Sequence, residues 1–265
     1  MIDTNIYLSH WPGRRLPLDE TPTLVEKLAD LGVTQAWAGS FDGLLHKDIA
    51  AVNQRLADEC VVRGDGMLIP FGSVNPTLPD WQDDLRRCDE EHGMPGIRLH
   101  PNYHGYTLDQ PEFSDLLDLA GERRLIVEIA LKMEDNRTQH PLLQVETVDT
   151  TPLPDLLRSR PELQVVLINS MRDLRGPSLE PFAGLGNAWI EISMLEGVGG
   201  IERLIPDFPY ERVLFGTYAP FFIPESAVLK LQESELGAEI EGAIRSGNAN
   251  RLLAEAQVRN PSNTR

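Results

Sequence analysis

Gly96-Ile97-Arg98-Leu99-His100 is followed by a helical stripe at Leu116, Leu117 and Ala120, and then by Leu125-Ile126-Val127-Glu128-Ile129-Ala130-Leu131. An apolar run, an amphipathic stretch and a second apolar run read as one β-α-β unit with parallel strands. The same alternation extends in both directions. Strands are expected at 1–7, 33–38, 67–74, 96–100, 125–131, 164–169, 188–194 and 212–217. Leu24, Leu28 and Leu31 mark an apolar helix face between the first two, and Leu56 lies in the next helix. Eight such units match a closed (β/α)8 barrel, a TIM barrel of the α/β class. An open doubly wound sheet would want a glycine-rich turn after its first strand, and Asn5-Ile6-Tyr7-Leu8-Ser9 is not one. The expectation is one barrel domain over 1–255, with an extra C-terminal helix over about 238–254 and a frayed tail at 256–265.

Composition narrows the function classes. The 265 residues include 41 acidic and 24 basic ones, a formal net charge of −17. A chain this negative repels a phosphate backbone, so nucleic acid is not an expected partner. No stretch is long and apolar enough to span a bilayer, and residues 1–12 lack the basic-then-apolar pattern of a secretory signal. Cys60 and Cys88 fall in expected helices, outside any metal-binding spacing and too few for a disulfide framework. A cytoplasmic protein with a small-molecule ligand, free or as a homo-oligomer, is the resulting expectation.

Several strand ends carry a specific pattern. The first strand reads Asp3-Thr4-Asn5-Ile6-Tyr7, the third ends Phe71-Gly72-Ser73-Val74-Asn75-Pro76, and the fourth ends Leu99-His100-Pro101. The eighth is Leu214-Phe215-Gly216-Thr217-Tyr218-Ala219-Pro220, and Gly247-Asn248-Ala249-Asn250-Arg251-Leu252-Leu253 closes the last helix. In this order the set resembles the amidohydrolase superfamily, in the branch of metal-dependent TIM-barrel hydrolases and aminocarboxymuconate decarboxylases. The resemblance implies a metal held by two His on the first strand, a His on the fifth, often one on the sixth, and an Asp on the eighth. Matched by motif, those positions are Asn5, Tyr7, Ala130, Asn169 and Tyr218. Zinc-like metals want imidazole, thiolate or carboxylate. The expectation is therefore no metal and no cofactor. Asn5, Tyr7, Asn169 and Tyr218 are then candidate substrate-binding residues.

The remaining candidates lie on two long connectors, 102–110 and 132–151, which follow the strand ends where barrels build their sites. Three of the six histidines, His100, His104 and His140, fall at or on them and are the candidate catalytic acids or bases. Pro101 and Gly105 make 100–105 read as an irregular loop, although a helix would put His100 and His104 on one face. Arg137 and Tyr106 are candidate substrate binders, Arg137 as a carboxylate clamp. Arg98 shares a strand face with His100, and Glu128 with Ala130, so the two are expected inside the barrel as an ion pair or a substrate contact. His10 and Trp11 could line the rim.

The functional expectation is metal-free hydrolysis of a small anionic ester or amide, such as a lactone. A non-catalytic barrel that binds a small ligand or a protein partner is the alternative, and a decarboxylase-type lyase is a third reading. No nucleophile elbow or phosphate loop is present.

Overall fold

The computed structural model describes residues 1–257. Strands β1 (Ile2–Leu8), β2 (Gln35–Ser40) and β3 (Leu68–Pro70) form one parallel sheet. A second contains β4 (Gly72–Ser73), β5 (Gly96–Leu99), β6 (Ile126–Ala130), β7 (Val165–Ile168), β8 (Ala188–Glu191) and β9 (Val213–Leu214). β3 and β4 are two halves of the third barrel strand, broken at Phe71, whose N–H still donates to Ala38 O at 2.9 Å. The ring closes where Thr4 N meets Phe215 O and Tyr218 N meets Asn5 O. This is the (β/α)8 barrel. β1 and β2 have the expected length, while β5 to β9 are shorter than expected.

Around it run α1 (Thr21–Asp30), α2 (Ile49–Arg63), α3 (Trp81–Glu90), α4 (Pro101–His104), α5 (Pro111–Arg123) and α6 (Leu153–Arg158). They are followed by α7 (Glu180–Ala183), α8 (Gly200–Leu204), α9 (Glu225–Gln232), α10 (Ala238–Gly242) and α11 (Asn248–Gln257). Leu24, Leu28, Leu116, Leu117 and Ala120 are buried against the outer faces of the strands, as their spacing requires. Cys60 and Cys88 are buried on α2 and α3 as free thiols. A π-helical segment, Ala243–Gly247, joins α10 to α11. Ala249, Leu252 and Leu253 of α11 pack with Ile2, Ile126 and Trp189, which sit at or near the starts of their strands, and so close the N-terminal end of the barrel. Helix α11 runs to Gln257, so residues 256 and 257 are helical rather than frayed; the rest of the expected tail lies outside the described residues.

One local expectation changes. Residues 101–104 form a helical turn, α4, instead of an irregular loop. Proline is compatible with the first helical position, where its missing N–H has no partner to lose, and Gly105 takes the left-handed cap at φ 74°.

Candidate functional site

Strand alternation points Asp3, Asn5 and Tyr7 of β1 into the barrel, and all three are fully buried. Asp3 accepts from Thr217 N at 3.0 Å, Thr217 Oγ1 at 2.6 Å and Asn5 N at 3.1 Å. Asn5 Nδ2 donates to Asn169 Oδ1 at 2.8 Å and Glu191 Oε1 at 3.3 Å. Glu191 also receives Asn169 N at 2.7 Å and the Ser193 hydroxyl at 2.7 Å. Arg98 and Glu128 are register partners on β5 and β6, with Nε and Oε2 at 2.6 Å. Arg98 also donates to Ile6 O at 2.6 Å, Trp37 O at 3.2 Å and Thr4 O at 3.4 Å. Gly39 is required beside it, since a Cβ there would lie 2.7 Å from the guanidinium.

Three carboxylates thus share the barrel with one guanidinium. Burial pushes Asp3 up to about 7, against the donors that hold its charge. Burial also pushes Glu128 up to about 7, against the pull of Arg98. Burial works against the Arg98 charge too, but Glu128 alongside outweighs it and keeps the guanidinium protonated.

Above this layer the barrel end is filled. The Tyr7 ring stacks on Phe41 at 4.7 Å and meets Tyr218 edge-on at 5.7 Å. Tyr7 Oη lies 3.0 Å from His100 Nε2, and Tyr218 Oη donates to Met133 O at 2.6 Å. Tyr7, Tyr218, Met133 and His100 are all buried. Asn169 and Tyr218 hold left-handed backbones, at φ 54° and 59°. Burial, followed by the nearby His104 and Arg98, drives the His100 pKa well below its usual value, so its imidazole is neutral.

These residues do not fit a metal. Ala130 offers no ligand atom. Asn5 Nδ2 is spent on Asn169 Oδ1 and Glu191, which leaves only the unpartnered Asn5 Oδ1, a weak neutral ligand for zinc-like metals, and both phenols are buried and held far above the range where they ionise. Among the described residues, His10, Asp19 and Glu20 are the one trio of possible ligand side chains whose atoms lie within 4.8 Å of one another. That trio is on the outer rim, and Arg15 already holds Asp19 at 2.7 and 2.8 Å and Glu20 at 2.8 Å.

The other expected site residues are scattered. His100 and His104 face each other across α4 with ring centres 5.9 Å apart. His104 Nε2 is fixed on Gly43 O at 2.8 Å, and burial lowers its pKa. Tyr106 is buried against Phe113. Arg137 is 80% exposed and paired with Asp135, and it does not join the histidines. His140 is exposed, its Nδ1 accepting from Leu142 N at 3.2 Å, which places its ring N–H on Nε2.

What the loops do build is a cavity of about 300 Å³, lined by Trp11, Arg14, Tyr103, Glu134, Gln139 and His140 among others. All six follow the C-terminal ends of β1, β5 and β6. Trp11 continues the aromatic packing of the plug, edge-on to Phe41 at 5.3 Å and to Phe221 at 5.0 Å. Gln139 pins the loop by bonding Val145 N and O at 2.9 and 2.8 Å. Sequence reasoning missed Arg14 and Tyr103. The pair Arg14-Arg15, directly after Trp11-Pro12-Gly13 at a strand end, was the available signal for the first.

A family model described as amidohydrolase matches residues 7–254. The chain belongs to the amidohydrolase family. Solved structures share the fold of this amidohydrolase-family chain at low identity. 2,6-Dihydroxybenzoate decarboxylase from Rhizobium is 16% identical with a TM-score of 0.70, over 95% of this chain and 98% of that one. 5-Carboxyvanillate decarboxylase from Sphingomonas paucimobilis is 13% identical with a TM-score of 0.72, over 95% and 98%. A dihydroxybenzoic acid decarboxylase from Polaromonas, solved with manganese and 2-nitroresorcinol, is 13% identical with a TM-score of 0.70, over 95% and 96%. No curated protein matches the sequence. Among the described residues no helix is long and apolar enough to cross a membrane.

Proposed function

We propose that this amidohydrolase-family barrel binds a small organic molecule in the cavity over its mouth and carries no metal chemistry at its centre. One observation supports this above the rest: Tyr7, Tyr218, Met133 and His100 occupy the end of the barrel where the family resemblance puts the metal. A Lewis acid or metal-bound hydroxide needs vacant coordination positions and several ionised or imidazole ligands, whereas this packing leaves no vacancy and offers a single imidazole, His100, already set against Tyr7 Oη. The cavity volume falls at the lower end of the range of small-ligand sites, roughly 300–1,000 Å³. The test is elemental analysis of the purified protein, with a thermal-shift screen of small acids, amides and lactones in the presence and absence of chelator. Stoichiometric zinc or manganese, or ligands whose binding disappears with chelator, would overturn the proposal.

Metal-free hydrolysis of a small ester or amide is the second reading, and one observation favours it. Glu134, His140 and Tyr103 line the same cavity, so a carboxylate, an imidazole and a phenol are available to activate water and stabilise an oxyanion. Turnover of a lactone in chelator, abolished by His140→Ala, would establish this reading over simple binding. His100 and His104 are poor bases for it, being buried with depressed pKa values. Decarboxylation rests on the fold of the neighbours, and fold alone does not choose a reaction.

A further inference from the structure

We infer that the cavity over the mouth recognises a carboxylate, held by Arg14, with Glu134 acting as the positioning residue for that arginine. The inference rests on the preceding reading that the cavity is the ligand site. Glu134 is 4% exposed, and its Oε1 lies 2.5 Å from Arg14 Nη1. Arg14 is 46% exposed, and its guanidinium also lies over the Phe221 ring at 5.3 Å. One edge of the guanidinium is therefore fixed by Glu134 and one face by Phe221. The other edge, Nε with Nη2, makes no hydrogen bond to the described residues. A planar pair of donors held in one orientation matches the two oxygens of a carboxylate.

The rest of the lining agrees with that ligand. His140 Nδ1 accepts from Leu142 N, so the N–H that its ring can offer a ligand is at Nε2. Tyr103 Oη has no hydrogen-bond partner among the described residues, and burial, followed by Glu134, holds its proton on. Trp11, Pro12 and Leu143 give the cavity apolar wall for the body of the molecule. A ligand cation that displaced Arg14 from Glu134 would leave the donor edge unused. A ligand carboxylate on the outer edge leaves the buried Glu134 paired, which an isolated buried carboxylate requires. Recognition is thus of a small carboxylate with an apolar body, at a place outside the barrel centre.

The test is isothermal titration calorimetry with three probes of one ring: cyclohexanecarboxylate, cyclohexanecarboxamide and cyclohexylmethylamine. The carboxylate is expected to bind on the order of tenfold more tightly than the other two. Arg14→Lys, which keeps the charge and loses the fork, should weaken carboxylate binding by about tenfold. Glu134→Gln gives the sharper reading, because removing a negative charge beside an anion site should strengthen binding if Glu134 only repels. Weaker carboxylate binding in Glu134→Gln is expected if Glu134 sets the orientation of Arg14. Stronger binding there, or equal binding of the three probes, overturns the carboxylate fork while the cavity stands. Failure of all three probes at millimolar concentration removes the cavity reading itself, and the fork with it.

Discussion

Arg98→Met removes the buried guanidinium from the barrel without opening a large void. Four acceptors lose their donor: Glu128 Oε2 and the carbonyls of Thr4, Ile6 and Trp37. The Oε1 atom of Glu128 has no partner even in the native protein, so the carboxylate would be left with none. Orphaning a buried charge of this kind costs about 3–5 kcal/mol. The pH dependence sharpens the expectation. With Arg98 present, the Glu128 carboxyl stands at about 7, above its unfolded value. A raised carboxyl gives stability that is full below the unfolded pKa and is lost as pH rises through the folded pKa. Without Arg98 that folded pKa climbs further. Wild type and variant should both weaken between about pH 4 and pH 7, but above pH 7 the variant alone continues to fall, at about 1.4 kcal/mol per unit. Urea unfolding followed by circular dichroism at pH 6 and pH 8.5 reads this as a difference in midpoint. Arg98→Met combined with Glu128→Gln should recover much of the loss and cancel the extra slope, since neutral replacements of a buried pair are often tolerated. A single variant within about 1 kcal/mol of wild type, or a double variant less stable than the single, would refute the buried-pair reasoning.

Asp3 should act in the same direction. Its carboxyl moves from 3.8 to about 7 on folding, so it withdraws up to about 4 kcal/mol of stability as pH rises across that window, and Asp3→Asn should flatten the profile of melting temperature between pH 4 and 7. Below pH 4 the opposite slope is expected from Asp19, whose pairing with Arg15 lowers it to about 2 and whose contribution is lost on acidification, with the size reduced by solvent screening. Tyr7→Phe should cost about 1–3 kcal/mol in urea unfolding, because it strips His100 Nε2 of its partner while His100 Nδ1 already has none. Cys60, its thiol pushed up to about 12 by burial, and Cys88, higher still, should resist a thiol reagent in the native protein and react only on unfolding.

The fold was legible because its signal is periodic. Each barrel strand announced itself as a short apolar run, and Arg98 and Glu128 showed their inward direction by parity with His100 and Ala130. Glu191 carried the same mark, a charge between Ile190 and Ile192, yet went unremarked because its partners Asn5, Asn169 and Ser193 lie on other strands and nearby in sequence alike. The site was less legible because convergence is a matter of distance. His100, His104 and His140 are close in sequence order, but α4 turns the first two inward while the 132–151 connector carries the third out to solvent. Arg14 and Glu134 are 120 residues apart, and only the loops after β1 and β6 bring them together. Proline at 101 misled in a simple way: it forbids a helix interior, and here it begins one.

The backbone at position 218 has a consequence for how this sequence can drift. A bulky residue at φ 59° is strained by about 1–3 kcal/mol, and short polar side chains such as Asp or Asn tolerate that conformation better. The main chain therefore favours replacing Tyr218, while the packing of its ring on Tyr7, Phe221 and Phe222 resists any smaller side chain. A single substitution there loses the ring contacts before any new contact exists. Escape needs Tyr7 and Met133 to change as well, so the three positions form an epistatic block that random mutation crosses only together. In a set of close homologues they should covary, and a lineage that lost one tyrosine should have lost the other.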